Sequence, residues 1–472
     1  MDEAWPWLCG LPPLAGICTP EEALRPGLSV DECVRRLKRY HYTLVRLQEI
    51  FTVRIPSEPI YELKMAFSLH AHLCSEHAHA LRQRVAEMRE PPLGLEDVPD
   101  PDLEAFFQEI LGAPTTAELV TGLYEVALPE LRRALQAHLD QTNPLADHPT
   151  VRLGRFALLE VDQMLRFGAQ AVAHLVSPDL REAMEPWRTV LLDRLRRSGG
   201  VMGPAVPDPS VATRQYAASP YRFHPVPRRD ERFPDPYNMG VNAEAFLYDP
   251  RYPPTAKVLQ MYYKRLREID VPEVLASIIA ESPGEPWAYY RDMTRQLWDE
   301  ARHALMGEVG FADLGLDWRQ VMINFTWSLG LNTQLSALDR HAVLYFIEQG
   351  LMPKTGKRYE WEVARDAGNV LATTFQDYDW ADEVLHAHIG RQWYVPRYPT
   401  AREALLHGDQ AWSRVLLGWA EWKRKGLTEH RNWWPDLYRT ACARMGQEPD
   451  PDVLAFHQSY EETRADLRPI GG

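Results

Sequence analysis

Two Glu-x-x-His pairs stand in the second half of the chain, Glu300-Ala-Arg-His303 and Glu383-Val-Leu-His386, each preceded by an aspartate, Asp299 and Asp382. Residues three apart share a helix face, so each pair presents a carboxylate oxygen and an imidazole nitrogen to one point. Two lone glutamates flank Glu300: Glu273 is 27 residues before it (300−273) and Glu348 is 48 after it (348−300). One glutamate from each of two helices, with Glu-x-x-His from each of two others, is how a four-helix bundle holds two iron or manganese ions. Bridging carboxylates keep such ions close, and one imidazole per ion leaves positions open for oxygen. The expected metal ligands are therefore Glu273, Glu300, His303, Glu348, Glu383 and His386, with Glu300, His303, Glu383 and His386 carrying the chemistry. A metal-bound imidazole normally donates its second N–H to a carboxylate, and Asp299 and Asp382 are placed to receive it from the histidine of the opposite helix. Either pair alone would read equally well as a solvated helix turn; the repetition at matched separations argues against that.

The pattern recurs, damaged, in the first half. Glu49, Glu76, Glu125 and Glu160 are separated by 27, 49 and 35 positions, against 27, 48 and 35 for Glu273, Glu300, Glu348 and Glu383. Such self-similarity suggests an internal duplication. His79 completes one Glu-x-x-His, but Gln163 stands in the other histidine position, and Ser75 and Leu159 replace the two aspartates. Glutamine is a poor ligand for redox-active iron. Glu49, Glu76, His79, Glu125 and Glu160 are thus expected to form a degenerate half, or a weaker site of altered type in which Asp162, His72 or His148 compensates. Pro129, four residues after Glu125, removes the backbone bond to its carbonyl and should make that helix irregular. His70, His77 and His388 are expected beside the ligands or on the surface.

The elements that must position these residues are helical. Apolar residues recur at three- and four-residue spacing over 31–52, 59–90, 116–139, 148–175 and 179–197, then over 255–268, 270–282, 285–308, 317–352 (broken near Gly330) and 358–392. Residues 198–254 are dense in proline, and their aromatics (Tyr221, Phe223, Phe233, Tyr237, Phe246, Tyr248) favour a segment draped on the surface over a free linker. The expected organisation is all-α: a bundle over 1–197 with an incomplete site, the Pro-rich segment 198–254, a bundle over 255–395 with the complete di-metal site, and a helical tail over 396–472. In that tail Trp412, Trp419 and Trp422 form one packing stripe.

The chain of 472 residues is long enough for two domains, and 45% hydrophobic and 25% charged residues are those of an ordinary globular protein. A formal charge of −14 argues against a surface built for nucleic-acid phosphates. Five cysteines without a CxxC pair fit a reducing cytoplasm. The acidic, Pro-interrupted start MDEAWPWLCGLPPLAG is unlike a signal peptide, and no apolar run reaches the roughly 20 residues of a membrane span.

WDEARH and DEVLHAHIGRQWY resemble the second and fourth helices of the ferritin-like diiron-carboxylate superfamily. The surrounding sequence, from PEVLASIIAESPGEPWAYYRDM through FIEQGLM to IGRQW, is most similar to an uncharacterised bacterial ferritin-like family related to a diiron tRNA hydroxylase. The resemblance covers about 265–395, and 31–175 more weakly. It implies two tandem ferritin-like bundles and a non-haem diiron (or Mn/Fe) oxidase or oxygenase using O2 on a small organic substrate. Lacking GxGxxG or a P-loop, the chain would take electrons from a separate donor protein or from the substrate. The alternatives are an iron-handling ferroxidase or metal-binding protein, a tRNA-modifying hydroxylase disfavoured by the charge, and a structural double bundle. Oligomeric state is open, a homodimer included.

Overall fold

The computed structural model describes residues 10–203, 220–233, 241–321, 326–426 and 431–459, all of them in helices, turns or connecting segments with no β-strand. The chain folds into two compact units, 1–51 with 70–222, and 52–69 with 223–472. The division departs from the expected boundaries at two places. Residues 52–69 belong with the second unit, and the Pro-rich segment is shared between the units at 222/223.

In the first unit the main helices are α1 (Val30–Arg54) and α2 (Tyr61–Met88), whose ends at 52–54 and 61–69 count with the second unit, then α3 (Pro101–Leu111), α4 (Thr116–Thr121), α5 (Leu128–Gln141), α6 (His148–Leu175) and α7 (Pro178–Arg197). α3 was not expected from periodicity; Asp100 caps it by accepting from the Asp102 and Leu103 amides. The helix around Glu125 is irregular. A π-helical turn, Gly122–Ala127, joins α4 to α5, and the Leu128 amide donates to the Leu123 carbonyl five residues back. Pro129 has no N–H to offer the Glu125 carbonyl, which accounts for the widened turn just before it.

The second unit contains α8 (Ala243–Leu247), α9 (Pro254–Arg267), a 3₁₀ turn at Glu268–Asp270, α10 (Val271–Ala280), α11 (Trp287–Asp313), α12 (Thr326–Gln334), α13 (Ala337–Gly350), α14 (Lys357–Asp366), α15 (Val370–Trp393), α16 (Ala401–Arg424) and α17 (Trp434–Met445). The expected 358–392 helix is two, because Gly368 takes φ +70° and Asn369 then caps α15 through the Ala372 amide. The expected 317–352 segment likewise restarts at Ser336, which forms a reciprocal cap with Asp339.

α11 packs on α9, α10 and α15, and α13 on α10, α15 and α16. The crossing of α9 and α11 is close: a Cβ on Gly307 would lie 2.3 Å from the Leu266 amide, and one on Gly310 would lie 2.3 Å from the Tyr262 ring. That contact fixes the end of α9 beside the Glu300 turn. From the Pro-rich segment, Phe233 is buried against Tyr61 and Trp318, and Phe246 stacks on Tyr252. Tyr237 lies outside the described residues. Trp412 stacks on Trp327 with ring centroids 4.0 Å apart; the side chains of Trp419 and Trp422 lie outside the described residues.

Candidate metal centre

Five of the six expected ligands meet in the second unit. Glu300 and His303 come from α11, Glu348 from α13, and Glu383 and His386 from α15, all at most 5% exposed. Their donor atoms fall into three overlapping groups, Glu300/Glu348/Glu383/His386, Glu268/Glu300/His303 and His303/Asp379/Glu383, each with all atoms within 4.8 Å of one another, and Glu300 links the first two. Glu300 Oε1 lies 3.2 Å from His386 Nδ1 and its Oε2 3.6 Å from His303 Nδ1, the placement of a bridging carboxylate.

Glu273 does not join this cluster, and Glu268 lies beside it instead. Glu268 Oε2 lies 3.3 Å from His303 Nδ1. Glu273 is fully buried elsewhere: Lys64 Nζ and Ser328 Oγ donate to its two oxygens, and Arg229 lies 3.6 Å away. Five residues are about 140° out of phase on a helix, so Glu268 and Glu273 face different surroundings even before the 3₁₀ turn between them. The glutamate chosen by its spacing match with Glu49 is thus the one that the structure places away from the other five. In sequence Glu268 shows only as the carboxylate three residues after Arg265, a pair that reads as an ordinary helix surface.

Each histidine is held by the aspartate of the other helix. His303 Nε2 lies 3.1 Å from Asp382 Oδ2, and His386 Nε2 lies 3.4 Å from Asp299 Oδ2. Arg302, the third residue of Glu-Ala-Arg-His, clamps both aspartates, donating to Asp299 Oδ1 at 2.7 Å and Asp382 Oδ2 at 2.6 Å. Both Nδ1 atoms are thereby turned inward, towards the glutamates.

The inward atoms are the under-satisfied ones. His303 Nδ1, His386 Nδ1 and the Oε2 atoms of Glu268, Glu348 and Glu383 are buried without a hydrogen-bond partner of good geometry. Leaving such atoms unpaired costs about 1–3 kcal/mol each. A set of imidazole and carboxylate donors converging in this way fits a pair of first-row divalent ions.

Charge points the same way. Around the cluster stand six carboxylates (Glu268, Glu300, Glu348, Glu360, Asp379, Glu383) against three buried cations (Lys264, Arg265, Lys357) and the two imidazoles, so that one negative charge is left over when both histidines are protonated (6−3−2) and three when a metal holds them neutral (6−3). Burial would lower the pKa of His303, but its hydrogen bond to Asp382 and the carboxylates of Glu268 and Glu300 outweigh this and raise it to about 9. Burial would raise Glu300, yet His303 and His386 hold it down at about 2. Lys357 is pushed well below its ordinary value by burial and by the neighbouring Arg265 and Lys264. Sequence reasoning missed this floor of Arg265, Lys357, Glu360 and Asp379. The available signal was Asp379, one turn before Glu383 on the same face.

The five first-half residues are not brought together. Glu49 pairs with Arg46, Glu125 with Arg181 at 2.8 Å and Glu160 with His77 at 2.6 Å, while Glu76 is exposed and His79 half-buried. Among the described residues none of them belongs to a group of three converging metal-ligating atoms. Of the compensating residues weighed for that half, Asp162 pairs with Arg132 at 2.6 Å.

A cavity of about 240 Å³ opens onto Glu268, Glu300, Glu348 and Glu383, and its other walls are largely apolar, among them Val271, Val274, Leu331, Val343 and Ile347. Comparison with family models, curated proteins and solved structures gives no match. No described helix is long and apolar enough to cross a membrane.

Proposed function

We propose that the second unit is a ferritin-like di-metal bundle and that the chain is a non-haem oxidase or oxygenase acting on a small organic substrate. The observation that carries this reading is the crossed orientation of the histidines: each Nε2 is tied to an aspartate, so that both Nδ1 atoms face a shared, buried set of carboxylates. Glu268, Glu300 and His303 would hold one ion, and Glu348, Glu383 and His386 the other, with Glu300 between them. Two iron ions, or manganese with iron, would supply dioxygen activation there when bound.

The protein's own contribution is orientation, charge and dryness. Asp299, Asp382 and Arg302 fix both imidazole planes and keep the second N–H on Nε2. Lys357 Nζ, 2.8 Å from Glu383 Oε1 and within 2.9 Å of both Asp379 oxygens, can hold or release a proton at Glu383 without moving. The apolar walls exclude water and accept an uncharged substrate portion against the carboxylates. The mostly apolar lining favours an organic substrate, and the acidic Glu244 and Asp270 on the same cavity are the ground for iron handling as the second reading.

Arg265 and Lys357 supply the specific ground for a structural reading, because they neutralise part of the cluster through Asp379 and Glu383. Anaerobic iron loading of the full chain followed by O2-uptake measurement separates the readings. The enzyme reading expects about two iron ions per chain and O2 consumption, both lost in Glu300→Gln; a chain that folds normally and retains no iron supports the structural network.

A further inference from the structure

The first unit contains a different convergence, on residues outside the repeated glutamates. Cys33 lies near the start of α1, His138 in the last turn of α5 and Asp147 immediately before α6. Cys33 Sγ is 3.3 Å from Asp147 Oδ2 and 3.7 Å from His138 Nε2, and the last two atoms are 3.7 Å apart. Cys33 and His138 are each 2% exposed.

The triangle has the dimensions of a metal site. The point equidistant from its three corners lies about 2.1 Å from each, within the roughly 2.0–2.3 Å that zinc keeps to nitrogen, oxygen and sulfur. An ion at that point, or slightly above the plane, reaches all three donors without moving any of them. A sulfur, an imidazole and a carboxylate together suit a borderline-soft divalent ion and leave a fourth position free. We propose that Cys33, His138 and Asp147 form a site for a zinc-class divalent cation that ties together α1, α5 and the entry to α6.

Two other readings of the same residues fit less well. A Cys-His-Asp relay needs the acid on the imidazole nitrogen opposite the thiol. Here Cys33 and Asp147 both face Nε2, while Nδ1 is buried without a hydrogen-bond partner. The thiol is also pushed up to about 12 by burial and by Asp147, so it is no nucleophile by itself. A plain hydrogen-bond cluster leaves the imidazole only the long 3.7 Å contact with the Cys33 sulfur, since 3.7 Å to Asp147 Oδ2 is too long for an N–H···O bond and Nδ1 has no partner.

Asp147 shows the same diversion. It stands at the capping position of α6, where an aspartate usually accepts from the first helical amides, yet it makes no such bond. Its Oδ1 accepts from Arg84 at 3.1 Å and its Oδ2 from Thr142 at 2.9 Å, which hold the carboxylate against Cys33 and His138.

Cobalt loading of the full-length protein tests the site, because a thiolate ligand gives an intense sulfur-to-cobalt charge-transfer band. The second unit's cluster offers only nitrogen and oxygen, so its occupancy cannot produce that band. About one thiolate-bound cobalt per chain is expected, displaced by zinc, absent in Cys33→Ser and retained in Glu300→Gln. No band in the wild-type chain, or a band that survives Cys33→Ser, overturns the proposal. Should Cys33→Ser fail to fold, Asp147→Asn keeps the thiol and the side-chain size. It should weaken cobalt binding at least about 10-fold, and unchanged affinity there overturns the proposal equally.

Discussion

The two units carry glutamates at almost the same spacing and treat them in opposite ways. In the first, Glu49, Glu125 and Glu160 each take a private partner (Arg46, Arg181, His77), and their side chains are 39%, 31% and 34% exposed. Ion pairs this wet contribute about 0–1 kcal/mol and ask nothing of one another. In the second, the side chains of Glu300, Glu348 and Glu383 are 3%, 7% and 3% exposed and share two imidazoles whose outer nitrogens are already committed. Spacing places carboxylates on helix faces. Whether they become a site depends on what stands opposite: a neutralising arginine ends the matter, whereas a histidine turned inward by a second carboxylate leaves donors for an ion.

The largest consequence concerns iron. Glu300→Gln and Glu383→Gln should each lose the tightly held pair of ions, while Glu76→Gln and Glu160→Gln keep it, read as metal content after anaerobic loading and dialysis. Equal losses in all four variants would erase the contrast between the units.

A second pair of variants tests it within the second unit. Glu268→Gln should weaken metal binding by an order of magnitude or more and leave the fold intact. Glu273→Gln should do the reverse, because it strips the partner from the wholly buried Lys64. Breaking a buried pair on one side costs about 3–5 kcal/mol, visible as a lower denaturation midpoint at unchanged iron content. Iron loss in Glu273→Gln with no change in midpoint would restore that residue as a ligand.

The next effect belongs to the aspartates. Asp382→Asn retains the side-chain shape but loses the charge that orients His303, and outer-shell losses of this kind typically weaken metal binding by about 10–100-fold. Asp162→Asn, three residues after the Leu159 that stands in the place of Asp382, only loosens a surface pair with Arg132 and should change nothing measurable in iron binding.

The two Asp-Glu-x-x-His motifs were legible because helical phase alone dictates that residues three apart converge, and α11 and α15 are unbroken through both. Glu268 was not legible. It lies in a 3₁₀ turn, where the phase carried along α9 is interrupted before α10 begins. Lys357 and Asp379 were hidden for another reason: a buried lysine pairs with a carboxylate 22 residues away across a helix break, and nothing local marks it. The irregular turn at Glu125 could be read in advance, since a missing N–H at Pro129 has a fixed address four residues back. Of the partners of the first-half glutamates, Arg46 stands three residues before Glu49 on one helix and was within reach, whereas Arg181 and His77 meet Glu125 and Glu160 only through tertiary packing.

The smallest effect separates the units by acid. Burial lowers His41 to about 4 and His70 to about 3 in the first unit, and His341 to about 4 in the second. Their folded values lie below the ordinary 6.5, so on acidification the unfolded chain binds these protons first. Stability is therefore full above about pH 6.5 and falls as pH drops towards 4. Between pH 6.5 and 5 each such histidine removes up to about 2 kcal/mol, twice in the first unit and once in the second. His303, raised to about 9, does not add to this slope, because below 6.5 it is protonated in both states. Hydrogen exchange of the metal-free protein over this window should show protection in α1 and α2 decaying more steeply with acid than protection in α11 and α13. Parallel decay in the two sets of helices would mean that these histidines do not distinguish the units, and the difference between them would rest on the carboxylate–histidine cluster alone.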